Sequence, residues 1–275
     1  MVASKSSTAN RADAVTASQA ESKKASTSLL VWTLRLGFLV ALLAVWHYAV
    51  QWGYVPEFYI STPTKTALFL WKYIAGGEIF VDASYTIYET LMGFSIGSVA
   101  GIVSGLLLAR FTTADRVLSP FLSGFNALPR VALAPLFILW FGIGTESKIV
   151  LAFSLVFFIT LVNTNAGARA TDSDIMMMAR AMGATSRQTY LKVVLPYAIP
   201  SIFAGLRLAA VYALLGAVVG EMLAAQHGWG RQITYYSQTF EVAGVFGLLV
   251  VLATFSIGLN YLMVLAEQRL LRWKQ

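Results

Sequence analysis

The sequence predicts an all-α protein that crosses the membrane six times. Of its 275 residues, 57% are hydrophobic and only 12% are charged, so most of the chain must lie away from water. Six apolar segments approach the roughly 20 residues that a helix needs to cross a bilayer. Backbone in lipid must satisfy its own hydrogen bonds, which favours helices. The segments are 29–50, 85–109, 120–141, 148–165, 200–222 and 242–265.

The amino-terminal residues 1–28 are rich in Ser, Ala, Thr and Lys and contain no apolar run. This composition is typical of a disordered tail. The apolar segment that follows is too long for the core of a signal peptide, so we count it as the first span. Residues 29–275 are therefore expected to form one transmembrane domain.

The basic residues predict the orientation of the chain. Most of the 20 lysines and arginines lie in the tail, after span two, after span four and at the carboxyl end. The positive-inside rule places these regions, and both termini, in the cytoplasm. The net charge of +7 then needs no nucleic acid to explain it.

Composition and motifs exclude several kinds of site. The chain has no cysteine, which removes disulfides, thiol chemistry and cysteine-based metal sites. Its two histidines, His47 and His227, are far apart in sequence, so we expect no metal. A phosphate-binding loop of the form GxxxxGK[ST] is absent. The chain is therefore predicted to have no ATPase activity and no cofactor of its own.

The segment between spans one and two is predicted to contain a short surface helix. In the stretch STPTKTALFLWKYI, Ser61 or Thr62 can cap the helix and Pro63 suits its first turn. Amphipathicity favours packing against the outer membrane face.

A polar insert, residues 166–199, separates spans four and five. Acidic residues at 172 and 174 favour the start of one helix, and Gly183 suits the left-handed corner that ends it. Thr185 and Gln188 have the spacing of a capping box, which predicts a second helix. That helix is expected to run to about residue 194 and to be closed by Pro196.

Three successive methionines, Met176 to Met178, lie on the first helix of the insert. Adaptable apolar side chains on a short exposed helix favour a partner protein with a groove. The alternative is that the insert folds into capped helices only to remain soluble.

The insert resembles the cytoplasmic coupling loop of permease subunits of bacterial ATP-binding-cassette importers. The pattern of that loop is Glu-Ala-Ala, three residues, Gly, nine residues, Ile, one residue, Leu-Pro. Gly183 takes the glycine position, Val193 the aliphatic position, and Leu195 with Pro196 the Leu-Pro position.

The leading triplet of the loop pattern is kept only in part. Ala179 matches its last alanine, while Met177 stands at the glutamate position and Met178 at the first alanine. The resemblance implies that the ATPase-coupling residues are Met177, Met178, Ala179, Met182, Gly183, Ala184, Val193, Leu195 and Pro196.

Similarity to this family extends beyond the insert. The stretches TLMG at 90–93, NALPRVALAPLFILWFGIG at 126–144 and GEMLAAQHGWG at 220–230 resemble the nitrate, sulfonate and taurine branch. The resemblance implies a type I importer permease fold and a homodimer. It also implies two cytoplasmic ATPase subunits, which bind ATP and Mg, and a periplasmic or lipid-anchored binding protein that delivers the solute.

Polar side chains inside the spans are candidates for the translocation pathway, because they are costly in lipid. Arg130 lies between two prolines of span three, which could open a break in the helix, and a cation there suits a sulfonate, carboxylate or nitrate. Alternatively, Arg130 pairs with Glu89 or with a backbone carbonyl. The pathway candidates are Glu89, Asn126, Arg130 and Glu221.

Two other functional classes stay open at this point. A secondary transporter would be expected to show carboxylates at mid-span and an internal repeat, and neither is apparent. A membrane scaffold without transport would use the insert equally well. Since the chain has no visible repeat, a second copy is expected to complete the pathway.

Overall fold

A computed structural model describes residues 30–270. The predicted tail, residues 1–28, lies outside this range and stays a prediction. All elements of the described part are helical, as expected. They are α1 (Leu30–Gln51), α2 (Pro63–Ala75), α3 (Glu78–Arg110), α4 (Thr112–Ala127), a 3₁₀ turn (Arg130–Leu133), α5 (Ala134–Phe141), α6 (Thr145–Arg169), α7 (Ser173–Ala181), α8 (Ser186–Thr189), a π-helical turn (Tyr190–Val194), α9 (Leu195–Leu223), α10 (Trp229–Gln238) and α11 (Val242–Leu270).

The described part of the chain divides into two compact units, residues 30–65 and 66–270. In the first unit, the indole N–H of Trp46 on α1 donates a 2.7 Å hydrogen bond to the carbonyl of Ser61. The Thr62 hydroxyl accepts a hydrogen bond from the backbone N–H of Lys65. The predicted cap and proline start of α2 are therefore confirmed.

Five helices of the described part are long and apolar enough to cross a membrane, and α4 with α5 makes a sixth if the bent pair is one span. The predicted number of six is therefore reached if this pair counts as one span. The third span, predicted over 120–141, is interrupted where its prolines were expected to allow a break. It bends by 79° between Ala127 and Arg130. Pro129 causes the interruption, because proline lacks the N–H of a helical hydrogen bond and favours extended backbone in Leu128.

A stripe of glycines brings α3 close to α6. Gly93, Gly97, Gly101 and Gly105 recur every fourth residue, so they share one face of α3. A Cβ added at Gly101 would lie 2.6 Å from the Phe157 carbonyl. Small residues let helix backbones approach closely in membranes, where van der Waals contact drives association. This stripe aligns the two central spans.

Helices α2 and α10 pack with α11 through an apolar cluster. Its buried members are Tyr73, Trp229, Ile233, Tyr236 and Leu248. Helix α10 was not predicted from the sequence, although Trp229, Ile233 and Tyr236 recur at the spacing of one helix face. It follows Gly228, whose φ of 110° suits glycine and turns the chain into the helix.

Candidate functional site

The insert between α6 and α9 begins with a helix that is capped at both ends. The Asp172 carboxylate accepts a 2.8 Å hydrogen bond from the Asp174 N–H at the start of α7. At its end, Gly183 has a φ of 81° and its N–H donates to the Arg180 carbonyl, while the Ala184 N–H donates to the Ala179 carbonyl. This pair of bonds is a Schellman motif. The predicted caps and glycine corner are confirmed.

Methionines give α7 one covered and one open face. Met176 packs against the buried cluster of Ala168, Val194, Ala198 and Ile202. By contrast, Met177, Met178 and Met182 are 67%, 65% and 85% exposed. Large apolar side chains with this exposure are typical of surfaces that bind another protein.

The second part of the insert joins α9 without an interruption. Thr185 and Gln188 form the predicted capping box, with both reciprocal hydrogen bonds present. The helical segment then continues from Ser186 to Leu223. The prediction that Pro196 closes this helix was therefore wrong.

A π-helical turn explains why Pro196 does not end the helix. The Leu195 N–H donates to the Tyr190 carbonyl, five residues earlier. This wider turn shifts the hydrogen-bond register just ahead of the proline, which then occupies the first turn of α9, where its missing N–H costs least. Val193, Leu195 and Pro196 are half-buried in this junction.

The insert is fastened to the spans by one hydrogen bond as well as by apolar contacts. The Tyr190 hydroxyl donates a 2.5 Å hydrogen bond to the Leu106 carbonyl on α3, 84 residues earlier. Together with the cluster around Ala198, this bond ties the insert to α3 and α9. A force applied to α7 would thus reach the spans through packed contacts.

At the opposite ends of the spans, buried acidic groups hold the start of α10. The Glu221 carboxylate accepts 2.7 Å hydrogen bonds from the Thr86 hydroxyl and from the Gly230 N–H. Asp82 accepts from the Gly228 N–H at 2.9 Å. Glu221 is only 1% exposed, so it does not face water in this state. Free N–H groups at a helix start are good partners for carboxylates.

Two residues of α2 and α10 complete this buried network. The Tyr73 hydroxyl and the Gln232 amide donate to the same oxygen of Asp82 at 2.6 and 2.9 Å. Burial and the Asp82 carboxylate raise the pKa of Tyr73 above its ordinary value. Tyr73 therefore remains a protonated donor at any physiological pH.

Glu89 lies near this network beside a small polar cleft. The carboxylate is 2% exposed, and among residues 30–270 no group donates a hydrogen bond to its Oε2 atom. The cleft has a volume of about 180 Å³ and is also lined by Lys148 and His227. Lys148 is 1% exposed and donates to the carbonyls of Ile143 and Gly144 at 2.6 and 2.8 Å.

Arg130 and Asn126 come together at the break between α4 and α5. The Arg130 guanidinium donates a 2.7 Å hydrogen bond to the Asn126 side-chain oxygen and a 3.3 Å bond to the Asn126 carbonyl. It also lies 4.2 Å from the centre of the Phe158 ring. The predicted alternative of a backbone carbonyl partner is therefore present, whereas the described contacts of Arg130 do not include Glu89.

Sequence reasoning missed several members of the network, namely Asp82, Thr86, Gly228 and Gln232, and it also missed Lys148 in the adjoining cleft. The available signal was the presence of Asp82 and Lys148 beside apolar runs, where charged groups are expensive. Their partners could not be found, because Asp82 and Gly228 are 146 residues apart.

Comparisons with known proteins give one consistent result. The model of the family described as binding-protein-dependent transport system inner membrane component matches residues 97–272. The chain is 31% identical, over 94% of both chains, to a putative aliphatic sulfonates transport permease of Bacillus subtilis. It is 33% identical to a riboflavin transport system permease of Chloroflexus aurantiacus, over 86% of this chain and 88% of the relative.

A third relative and one solved structure extend the comparison. A formylaminopyrimidine transport permease of Halalkalibacterium halodurans is 33% identical, over 71% of this chain and 78% of the relative. An amino acid ABC transporter structure has a TM-score of 0.60 at 18% identity, over 73% of this chain and 98% of that chain. At this identity the likeness establishes the fold alone.

Proposed function

Because the chain belongs to the family of binding-protein-dependent transport system inner membrane components, we propose that its insert receives the motion of an ATPase and passes it to α9. The chain is a multi-pass permease subunit of a bacterial inner-membrane importer. It is not itself an ATPase and, as in its family, it carries no cofactor. It works in a complex with ATPase subunits and a binding protein.

One observation carries the proposal, namely the continuous helical segment from Ser186 to Leu223. A rigid element that begins in the insert and crosses the membrane converts a displacement of its exposed end into a tilt of the span. The methionines Met177, Met178 and Met182 supply the apolar surface that a groove in the ATPase would cover. Such burial is worth roughly 1.5–3 kcal/mol for each fully covered methionine.

The assembly that we propose contains two copies of this chain and two ATPase subunits. Two copies of this chain form the pathway between them, and each copy binds one ATPase subunit. Apolar side chains that a single copy leaves exposed along α4 and α5 support this arrangement, because a second copy could pack against them. They are Phe121, Phe125, Leu139 and Trp140. A periplasmic or lipid-anchored binding protein delivers the solute to the outer side.

We assign a small anionic solute to this pathway. Arg130 is half-buried at the break of the third span, and its partners Asn126 and Phe158 carry no charge. Within residues 30–270, no carboxylate lies within ion-pair distance of Arg130. An uncompensated cation in a low-dielectric region attracts an anion. Asn126, Glu89 and Glu221 remain the other pathway candidates.

Cross-linking tests the contact between the insert and the ATPase. The chain lacks cysteine, so Met182→Cys introduces a single thiol directly after α7. We expect this variant to cross-link to the ATPase in the intact complex, and the yield to change when ATP binds. A matched thiol at Glu241→Cys, exposed at the opposite ends of the spans, should give no such product. Equal yields from both variants would refute the assigned contact.

A further inference from the structure

Three arginines line a cleft at the predicted cytoplasmic ends of the spans. Its volume of about 530 Å³ falls within the range of small-molecule sites. Arg110 is the last residue of α3, Arg169 is the last residue of α6, and Arg180 belongs to the last turn of α7. In the described part of the chain, no carboxylate lines this cleft.

The positive charge of the cleft is only partly compensated. Arg169 forms a 2.7 Å ion pair with Asp115. The other two arginines have no carboxylate within ion-pair distance among residues 30–270. Arg110 instead lies 5.3 Å from the centre of the Tyr190 ring. A cleft lined by one sign of charge concentrates counter-ions of the other sign.

Hydroxyl groups add neutral donors to this arrangement. Thr112 and Ser186 line the cleft, and within the described residues neither hydroxyl forms a hydrogen bond to another protein group. Arginine guanidinium groups match the oxygens of a phosphate in geometry as well as in charge. Arginine and hydroxyl groups together are well suited to a tetrahedral oxyanion.

We propose that this cleft binds a phosphate group, which comes either from an anionic phospholipid headgroup or from a soluble phosphate. The cleft lies at the ends of α3 and α6, two helices long enough to cross the membrane, and lipid headgroups lie at this depth. Basic pockets between spans are known to bind such lipids. A phosphate in the cleft bridges these ends to Arg180 on α7. The inference goes beyond the proposed transport function, because the cleft lies outside the assigned solute pathway.

The lipid source is tested with the full-length chain in complex with its ATPase. The complex is placed in nanodiscs of phosphatidylcholine, with or without phosphatidylglycerol, and the retained phosphatidylglycerol is counted by native mass spectrometry. We expect Arg110→Gln/Arg180→Gln to weaken retention about a hundredfold, since each of the two lost bonds to a charged group is worth about a factor of ten or more.

A matched control and a mild variant keep the result interpretable. Arg116→Gln/Arg187→Gln makes the same charge change with two exposed arginines that do not line the cleft, and it should retain the lipid. Arg180→Gln alone removes a cleft arginine that is exposed and forms no ion pair in the described region. It should fold normally and weaken binding by itself.

The soluble source is tested by titration with inorganic phosphate. The thermal unfolding midpoint is measured at increasing phosphate concentration and compared with the midpoint in sodium chloride of equal ionic strength. A saturable rise of the midpoint in the wild type and in the control, but not in Arg180→Gln, supports a soluble phosphate. Selective loss of phosphatidylglycerol in the cleft variants supports a lipid. Equal losses in cleft and control variants, or no binding of either ligand by the wild type, would overturn the proposal.

Discussion

The Thr86 hydroxyl on α3 donates a 2.7 Å hydrogen bond to the Glu221 carboxylate on α9, across 135 residues of sequence. The same hydroxyl accepts a 3.0 Å bond from the Trp229 N–H. Glu221 in turn accepts from the Gly230 N–H. These two side chains therefore fix the position of α10 against the ends of two spans, on the side opposite the insert.

Glu221→Gln is expected to destabilise the protein. A glutamine has only one acceptor oxygen, so either the Thr86 hydroxyl or the Gly230 N–H loses its bond to a carboxylate oxygen. A buried unpaired donor costs about 1–3 kcal/mol. Thermal unfolding of the purified complex should show a lower midpoint for this variant. Glu241→Gln changes an exposed acid in a loop and should leave the midpoint unchanged, whereas equal midpoints for both variants would contradict the role of Glu221.

Gly101→Ala should separate α3 from α6. The added Cβ would lie 2.6 Å from the Phe157 carbonyl and 2.8 Å from the Thr160 Cβ, and the backbones must move apart to admit it. Overpacking of this kind costs about 1–3 kcal/mol. The expected result is a lower unfolding midpoint of the complex. Gly258→Ala on α11 meets no atom within 4 Å and serves as the control, so an equal midpoint for the two alanine variants would refute close packing at Gly101.

Arg130→Gln tests whether the cation acts on the solute. Loss of a charge-assisted contact should reduce the uptake rate about tenfold or more at limiting solute, and Arg130→Lys should restore part of it. Asn126→Ala removes the same 2.7 Å hydrogen bond but leaves the cation in place. Because Asn126 is itself a pathway candidate, the two variants are compared by thermal stability. If both lower the unfolding midpoint equally and Arg130→Lys restores no uptake, the arginine has only a structural role.

Gly183→Pro is expected to uncouple ATP hydrolysis from transport. Proline holds φ near −65°, whereas Gly183 has a φ of 81° and its N–H donates to the Arg180 carbonyl. The corner between α7 and α8 must therefore change direction. Uptake by reconstituted complexes should fall while basal ATPase activity and dimer formation remain. Gly124→Ala, at an open position on α4, provides the control, and wild-type uptake in Gly183→Pro would argue strongly against the coupling model.

Tyr190→Phe should loosen the insert without unfolding the spans. The variant loses the hydrogen bond to the Leu106 carbonyl, which is worth about 1 kcal/mol. Hydrogen exchange of peptides covering residues 173–194 should become faster. Tyr261→Phe changes an exposed tyrosine on α11 and should not alter exchange in the insert. Unchanged exchange in Tyr190→Phe would show that apolar packing alone holds the insert.

Sequence analysis predicted the parts of the site that depend on close neighbours. The Asp172 cap, the Gly183 corner and the Thr185–Gln188 capping box each involve groups at most five residues apart, so their residue types were sufficient. The break in the third span was expected from its prolines for the same reason. The stop assigned to Pro196 was wrong, because a π-helical turn before a proline depends on how the junction packs against neighbouring spans.

The sequence by itself determined the helical class, the membrane location and the caps of the insert, because each depends on composition or on local hydrogen bonds. The family followed from the resemblance of the insert and of three further stretches to known permeases. Only the tertiary structure decided that Thr86 meets Glu221, that Asp82 holds Gly228, and that Arg110, Arg169 and Arg180 share one cleft. The physical reason is that apolar spans are chemically alike along most of their surface. Which faces meet depends on close packing, such as that of the glycine stripe of α3 against α6, and this packing brings distant polar residues together.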